Sequence, residues 1–187
     1  MTRYFGLTGG IGSGKSVCSR YLASRGAMIV DADALTAEAY VYGRAALERT
    51  FGKEIFDETG RVDRKALGGI VFGDEGALRS LNAILHPIMS ELAHDKLVSA
   101  RGLAVLDAAL LFEAGWDELV EASVVVLAPL ETRIERIMVR DGMTRESALS
   151  RIAAQLCDAE RLKRADHIIY NMGDLNMIHA QCERIFL

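Results

Sequence analysis

The glycine-rich stretch "GGIGSGKS" limits the fold of this chain more than any other segment. Gly9, Gly14, Lys15 and Ser16 fit the phosphate-loop pattern G-x-x-x-x-G-K-S. The short apolar run "RYFGL" stops just before this stretch, and apolar side chains recur at helical spacing over residues 16–25 just after it. A strand, a glycine loop and a helix in this order predict an α/β fold whose first loop binds phosphate.

The residue types in this loop explain how it would bind a nucleotide. Glycines let backbone N–H groups surround a phosphate without side-chain clashes, and the following helix directs its positive end toward the loop. Lys15 reaches the β- and γ-phosphates, and the Ser16 hydroxyl can bind Mg²⁺. We expect the Val17 N–H to meet the α-phosphate. The predicted ATP-binding residues of the loop are Gly10, Ile11, Gly12, Ser13, Gly14, Lys15, Ser16 and Val17.

A dinucleotide-binding fold and a GTPase are two alternatives that the sequence disfavours. Gly10 and Gly12 are followed by Lys15 where the dinucleotide fingerprint needs its third glycine. "DETG" matches a GTPase switch motif, but no buried strand precedes it and its residues indicate a turn. "NMGD" lacks the lysine that would pack on a guanine base.

Near-continuous apolar runs predict a parallel sheet that is covered on both faces. These runs are "AMIVDAD", "LAVLDA", "ASVVVLA" and "DHIIYN". We therefore predict one domain of α/β class, a P-loop NTPase with a parallel sheet flanked by helices, an inserted helical substrate-binding subdomain and a lid. The expected parts are a core (about 1–33, 101–135 and 165–187), the helical subdomain (about 34–100) and the lid (about 136–160).

Single residues predict where individual helices start and stop. Pro87 should interrupt a helix or begin the next one, because proline has no N–H to donate. Gly26 is expected to end the first helix. Thr144 and Asp174 are expected to cap the N-termini of two later helices.

Composition restricts the partners and the compartment. The net charge of −4 gives no general basic surface for nucleic acid. No apolar run approaches the length of a membrane span, and the N-terminus does not resemble a signal peptide. Three cysteines without a C-x-x-C spacing indicate neither a disulfide framework nor a zinc site. We expect a cytoplasmic protein that binds neither nucleic acid nor membrane.

Carboxylates follow two of the predicted strands, at the edge where open parallel sheets bind ligands. Asp31 and Asp33 end the second strand, and their spacing on an extended chain predicts that they point to the same side. One of them is a candidate to accept a hydroxyl proton in a kinase reaction, although Asp33 is also suited to cap the next helix. Asp107 ends another buried strand, where it would serve Mg²⁺ binding, cap a helix or act as a buried hydrogen-bonding group.

Arginines are concentrated after residue 130, mostly on helix faces that we expect to be solvated. Arg136 and Arg140 are four residues apart, so that both side chains can point the same way. They precede the glycine-containing turn "RDGMT", which can act as the hinge of a lid. An arginine supplied by such a lid would neutralise charge on a transferring phosphoryl group.

In their order along the chain, these segments resemble the dephospho-coenzyme A kinase family over essentially the whole sequence. The resemblance rests on "GLTGGIGSGKS", "DAD", "GRVDRKALGGIVF", "LHP", "LLFE", "RIMVRDG", "RIAAQ" and "ADHIIYN". It implies a P-loop core with a helical coenzyme-binding subdomain and a lid. It also implies transfer of the γ-phosphoryl group of ATP, with Mg²⁺, to the 3′-hydroxyl of dephospho-coenzyme A, the last step of coenzyme A synthesis.

The resemblance implies roles for individual residues as well. Asp33 would be the catalytic base, and Ser16 would bind Mg²⁺. Lys15 and Arg140 would stabilise the transferred charge, and Asn171 would approach the adenine of ATP. The residues implied for the acceptor are Thr8, Asp31, Asp33, Arg64, His86, Leu111 and Glu113. For His86, which precedes a proline, a structural hydrogen-bonding role is the favoured alternative.

Two positions depart from the family's usual pattern. Ala37 stands where the family usually has an arginine, and this removes a positive group that would meet the acceptor. Ala109 stands where it usually has a proline, a change expected only to relax a loop. Two other functions stay open on the sequence: a P-loop kinase for another small molecule or nucleotide, and a nucleotide-binding regulatory module.

Overall fold

The computed structural model describes residues 2–187, which form a five-stranded parallel sheet in the order β2-β3-β1-β4-β5 with helices around it. Strands β1 to β5 are Arg3–Thr8, Met28–Asp31, Leu103–Asp107, Ala122–Leu127 and His167–Tyr170. Helices α1 to α9 are Lys15–Ser24, Ala32–Tyr42, Arg44–Phe51, Arg64–Val71, Glu75–Ser99, Leu130–Asp141, Arg145–Ala153, Asp158–Arg164 and Leu175–Phe186. Short 3₁₀ helices cover Lys53–Ile55 and Trp116–Leu119. This architecture confirms the predicted fold class.

One face of the sheet is covered by α1 and α9. The strand residues on this face alternate along each strand, as Phe5 and Leu7 do in β1, because successive side chains of a strand point to opposite faces. They pack against buried helical side chains, which are Cys18, Leu22, Ile178, Cys182 and Phe186. The Cys18 and Cys182 thiols are hydrogen-bonded to each other, and this bond together with burial raises the pKa of Cys18.

The other face of the sheet requires a residue without a side chain at Gly6. A Cβ atom there would lie 2.6 Å from a methyl carbon of Leu111 and 3.2 Å from one of Val120. Both of these residues belong to the segment that connects β3 to β4. This connection therefore packs directly on β1, and no larger residue fits at position 6.

The chain divides into two compact units. The first unit comprises the residues up to Asp31 and Leu97–Leu187, and it contains the whole sheet. The second unit comprises Ala32–Lys96 and is mainly helical. Helices α6, α7 and α8, which include the segment predicted as a lid, belong to the first unit rather than to a unit of their own.

Helix α5 runs through Pro87 without a break, so the predicted interruption is wrong. A proline inside a helix removes one hydrogen bond and clashes with the preceding turn. An apolar stripe continues across the proline at four-residue spacing, and its side chains Leu81, Leu85, Met89 and Ala93 are all buried. This burial on both sides of Pro87 compensates for the lost hydrogen bond. Among the helices that the structure describes, α5 included, none is long and apolar enough to cross a membrane.

Helix boundaries predicted from single residues are confirmed at three places. Gly26 has a φ of +91°, and the N–H of the next residue bonds to the Leu22 carbonyl at 3.0 Å, which closes α1. Thr144 Oγ1 accepts a hydrogen bond from the Ser147 N–H at the start of α7. The Asp174 carboxylate caps α9 in the same way.

The "DETG" segment forms a tight turn, as predicted. Phe56 and Val62 pair across it as an antiparallel bridge. The Asp57 carboxylate accepts hydrogen bonds from Thr59 Oγ1 at 2.7 Å and from the N–H groups of Thr59 and Arg61. The bond from the Thr59 hydroxyl holds the pKa of Asp57 below its usual value. These contacts explain the segment as a turn, and it follows no strand of the sheet as a GTPase switch would.

We predict that Leu106→Ala lowers the free energy of unfolding by about 3 kcal/mol. Leu106 is fully buried in β3, in register with Gly6 of β1 and Val30 of β2, so its truncation leaves a cavity in the sheet. Urea unfolding followed by circular dichroism measures the change. The control Leu130→Ala removes a half-exposed side chain and should cost less than about 1 kcal/mol. Equal losses in both variants would contradict this assignment of the core.

Candidate phosphate-binding site

The phosphate loop, residues 9–14, connects β1 to α1 and requires glycine at two of its positions. Gly12 and Gly14 have φ angles of +79° and +91°, which side chains disfavour. A Cβ atom on Gly12 would lie 2.8 Å from the Arg133 carbonyl oxygen, and one on Gly14 would collide with the side-chain amide of Asn171. Helix α1 begins at Lys15, so its positive end faces the loop.

Lys15 is held at the sheet by Asp107, the last residue of β3. The two side chains form an ion pair, and the other carboxylate oxygen of Asp107 accepts a hydrogen bond from Ser19 of α1. Asp107 is only 9% exposed. It therefore acts as a buried hydrogen-bonding group, one of the roles considered for it, and it keeps the lysine ammonium beside the loop.

The outer side of the loop bonds to side chains from distant parts of the sequence. Arg133 Nε donates to the Ile11 carbonyl at 2.9 Å, and the Ile11 N–H donates to Gln155 Oε1 at 2.8 Å. Arg136 Nη1 donates to the Gly12 carbonyl at 3.1 Å. These bonds tie the loop to α6 and to the residue Gln155 after α7.

Asn171 belongs to the same set of contacts. Its side chain is buried, Nδ2 donates to the Ser13 carbonyl at 2.8 Å, and Oδ1 accepts from Arg136 Nη2 at 3.2 Å. The sequence led us to expect Asn171 near the adenine of ATP. In this structure both polar atoms of the side chain bond to the loop and to Arg136, so Asn171 positions the loop, and its approach to adenine stays a prediction.

Arg136 and Arg140 do not point together, contrary to the expectation from their spacing. Arg136 reaches the loop, whereas Arg140 is exposed and forms two hydrogen bonds with Asp141, at 2.7 and 2.9 Å. Arg151 bonds to the same carboxylate at 3.1 Å, and the Arg140 contact holds the pKa of Asp141 below its usual value. In this structure the charge of Arg140 is neutralised by its neighbour rather than directed at the loop.

Three groups that we expected to meet a ligand are engaged within the protein. Thr8 is fully buried, and its hydroxyl donates to the Ala109 carbonyl at 3.2 Å. Leu111 is fully buried against the sheet. The Val17 N–H donates to the Gly14 carbonyl at 2.9 Å in the first turn of α1. In this structure Thr8 and Leu111 support the fold and the Val17 N–H is bonded within α1, and their contacts to a ligand stay predictions.

Asp31 and Asp33 lie in different secondary-structure elements, β2 and α2. The prediction that both point to one side of an extended chain is therefore wrong. Asp31 is the last residue of β2 and pairs in register with Asp107 of β3. Asp33 is exposed in the first turn of α2, which begins at Ala32. Because the helix begins before Asp33, this residue is not the N-cap that the alternative interpretation required.

The helical unit has a pocket of its own, with a volume of about 360 Å³ and three arginines in its wall. The Arg44 guanidinium lies 4.5 Å from the centre of the Phe56 ring, and Arg64 lies 6.0 Å from that of Tyr40. The other lining residues are Ala37, Val41, Gly60, Arg61 and Val62. Arg64, predicted to face the acceptor, is thus part of this pocket, whereas His86 is half-buried in α5 and does not line it.

Sequence reasoning missed three residues beside the loop. Arg133 and Gln155 contact Ile11 from 122 and 144 positions further along the chain, and a local pattern cannot reveal such a contact. Arg161 is the third, and its guanidinium forms a 3.8 Å ion pair with Glu113, a residue predicted for the acceptor. In the sequence, these residues stand out only as polar side chains in the segment predicted as a lid (Gln155) or beside it (Arg133 and Arg161).

The oxygen-bearing groups at this edge of the sheet fit a magnesium ion bound together with nucleotide phosphates. Mg²⁺ prefers oxygen ligands, and it usually needs only one or two protein groups besides phosphate and water. Ser16 presents an exposed hydroxyl near the start of α1, and Asp31 and Asp107 end neighbouring strands. Among residues 2–187, no cluster of three or more His, Cys, Asp or Glu side chains is arranged to hold a metal.

Comparison with solved structures identifies the class of this fold. The chain matches the protein TT1252 from Thermus thermophilus with a TM-score of 0.86 at 37% identity, over 98% of this chain and 96% of that one. The shikimate kinase from Acinetobacter baumannii, with a TM-score of 0.56 and 18% identity over 99% and 91% of the two chains, shares the fold alone. A parallel sheet whose first strand leads into this phosphate loop is thus a P-loop NTPase fold.

Sequence comparison identifies the family. The family model described as dephospho-CoA kinase matches residues 3–176. The dephospho-CoA kinase of Anaeromyxobacter dehalogenans is 43% identical over 190 residues, which cover 98% of this chain and 90% of that protein. The chain belongs to the dephospho-CoA kinase family. This confirms the resemblance inferred from the motifs.

We predict that Asn171→Ala weakens ATP binding about tenfold or more. The substitution removes the shorter of the two side-chain hydrogen bonds to the Ser13 carbonyl, which keeps only the 3.3 Å bond from Arg136, and so loosens the loop. Calorimetric titration with a non-hydrolysable ATP analogue measures the affinity. The control Asn176→Ala changes an exposed residue of α9 and should leave the affinity unchanged. An Asn171→Ala protein that binds the analogue like the natural chain would contradict the positioning role.

Proposed function

We propose that this protein transfers the γ-phosphoryl group of ATP to the 3′-hydroxyl of dephospho-coenzyme A and releases coenzyme A and ADP. The observation that carries the proposal is a phosphate loop with Lys15 fixed beside it, in a chain that matches the dephospho-CoA kinase family over residues 3–176. The loop and its lysine are parts that phosphoryl transfer needs. The family match supports the choice of acceptor.

ATP binding depends on the loop in this proposal. The positive end of α1 and the backbone N–H groups of the loop favour the negative phosphates, and the Lys15 ammonium, oriented by Asp107, would bind the outer two. Because Asp107 already holds Lys15 in place, less side-chain freedom is lost when ATP binds. Ser16, with Asp31 nearby along the sheet edge, would hold Mg²⁺, which would supply charge neutralisation to the phosphates.

Asp33 is our candidate for the catalytic base. Its carboxylate is exposed, and the residue follows closely after β2, whose carboxyl end lies on the ligand-binding edge of the sheet. A carboxylate within hydrogen-bond reach of the acceptor hydroxyl orients it and accepts its proton as the new bond to phosphorus forms.

The pocket of the helical unit is our candidate for the acceptor's diphosphate group. Arg44, Arg61 and Arg64 line it, and a guanidinium pairs well with phosphate oxygens because it donates two parallel hydrogen bonds. Ala37 contributes a small uncharged surface to the same pocket. We further propose that the reaction takes place in the cytoplasm, since a reducing compartment suits the free thiols of the chain.

A dephospho-coenzyme A analogue that lacks only the 3′-hydroxyl tests the site of transfer. We expect the analogue to bind but to release no ADP from Mg·ATP above the rate without acceptor. Phosphorylation of the analogue at another position would overturn the proposed chemistry, although the protein would remain a kinase.

We predict that Asp33→Asn lowers kcat by about 10²- to 10⁴-fold and leaves ATP affinity unchanged. The amide keeps the size of the side chain but cannot accept the hydroxyl proton. A coupled assay of ADP release measures kcat, and titration with the ATP analogue measures the affinity. The control Asp95→Asn alters an exposed carboxylate of α5 and should retain full activity. Near-normal turnover by Asp33→Asn would remove Asp33 as the base.

We predict that Ala37→Arg lowers KM for dephospho-coenzyme A several-fold without changing KM for ATP. The new guanidinium would add a cation to the pocket that we assign to the diphosphate group. The control Ala34→Arg places the same charge at an exposed position of α2 that does not line the pocket. An equal effect of both variants would mean that general charge, rather than this pocket, determines the affinity.

A further inference from the structure

Arg161 is a buried arginine with unsatisfied donors. Its side chain is 1% exposed, and Nη1 donates to the Leu156 carbonyl and, at 3.4 Å, to Asp158. Within the part of the chain that the structure describes, its Nε and Nη2 have no hydrogen-bond partner. Buried guanidinium groups normally satisfy their donors, so two unsatisfied donors are available to a bound anion.

The position of Arg161 indicates the chemistry of that partner. A Cβ atom on Gly10 would collide with the Arg133 guanidinium and would lie 3.2 Å from Arg161 Nη1, so both guanidinium groups are next to the first residues of the phosphate loop. The backbone and the lysine of such a loop contact the β- and γ-phosphates of a nucleotide, so a cation beside the loop is suited to these outer phosphates.

The charges around Arg161 favour an anion there. Asp158, its hydrogen-bonded carboxylate, is shared with Arg133, whose Nη1 bonds to it at 2.9 Å. Glu113 is 3.8 Å from Arg161 Nη2, too far for a hydrogen bond. Burial lowers the pKa of Arg133, and the nearby positive charge of Arg161 lowers it further. Two buried guanidinium groups thus share one close carboxylate at the edge of a phosphate loop.

We propose that Arg161 binds the terminal phosphoryl group of ATP through Nε and Nη2, and that Glu113 holds this guanidinium only until the nucleotide arrives. The proposal rests on the use of ATP in the proposed function. It gives the loop a second cation for the γ-phosphate, besides Lys15, within the first unit, whereas Arg140 is paired with Asp141. Because ADP lacks that phosphate, Arg161 should make the protein prefer ATP over ADP.

The test compares the binding of a non-hydrolysable ATP analogue and of ADP by calorimetric titration, with no acceptor present. We expect Arg161→Gln to weaken binding of the analogue about tenfold or more and to change ADP binding less than about twofold. Arg161→Lys keeps the charge but not the paired donors, and it should recover only part of the preference. Lys163→Gln, an exposed position of the same helix, is the control and should bind both ligands normally.

If Arg161 only supported the fold, its substitution would affect the binding of the ATP analogue and of ADP alike. Equal weakening of the analogue and of ADP, or no change in either, would overturn the proposal. If neither Arg161 variant folds, Glu113→Gln decides: loss of the competing carboxylate should raise the preference for the analogue over ADP, and an unchanged preference would overturn the proposal. Since no acceptor is used, a wrong choice of acceptor leaves these outcomes intact.

Discussion

Each peptide group that turns its N–H toward a bound phosphate turns its carbonyl away from it, and that carbonyl needs a donor of its own. This constraint determines which parts of the chain must meet at the phosphate loop. The carbonyls of residues 11–13 receive hydrogen bonds from Arg133, Arg136 and Asn171. These donors come from α6 and from the end of β5. The N-terminal loop is therefore supported only when the C-terminal part of the chain has folded against it.

The strand order brings these donors together. β1, which leads into the loop, lies between β3 and β4. β3 ends at Asp107 and so places a carboxylate beside Lys15. β4 leads into α6, which carries Arg133 and Arg136, and β5 ends just before Asn171. All strands are parallel, so their carboxyl ends share one edge, and each neighbour of β1 contributes to the loop at that edge.

The sequence predicted those features that short stretches encode. Apolar runs gave the strands, the glycine pattern gave the loop, and Gly26, Thr144 and Asp174 marked helix ends. Local patterns could not reveal that Asn171 bonds to Ser13, 158 positions away, or that Gln155 bonds to Ile11. Such contacts depend on strand order, which no short stretch of sequence encodes.

Two local predictions were wrong because tertiary structure outweighed local preference. Pro87 did not end α5, since the apolar stripe on both sides of it is buried. Asp31 and Asp33 do not share an extended segment, because β2 ends where its pairing with β3 ends and α2 begins at the next residue. Packing let α5 continue through Pro87, and strand pairing fixed the end of β2. Residue type alone indicated neither outcome.

Phosphoryl transfer to dephospho-coenzyme A at this loop is the activity that we propose for the protein. The most direct measurement mixes the purified protein with Mg·ATP and quantifies both ADP and the phosphorylated product, with dephospho-coenzyme A, nucleosides and nucleoside monophosphates as parallel acceptors. The account predicts one coenzyme A formed per ADP, and turnover with dephospho-coenzyme A alone. Turnover only with another acceptor would contradict the substrate assignment, and ATP binding without transfer to any acceptor would contradict the assignment as a kinase.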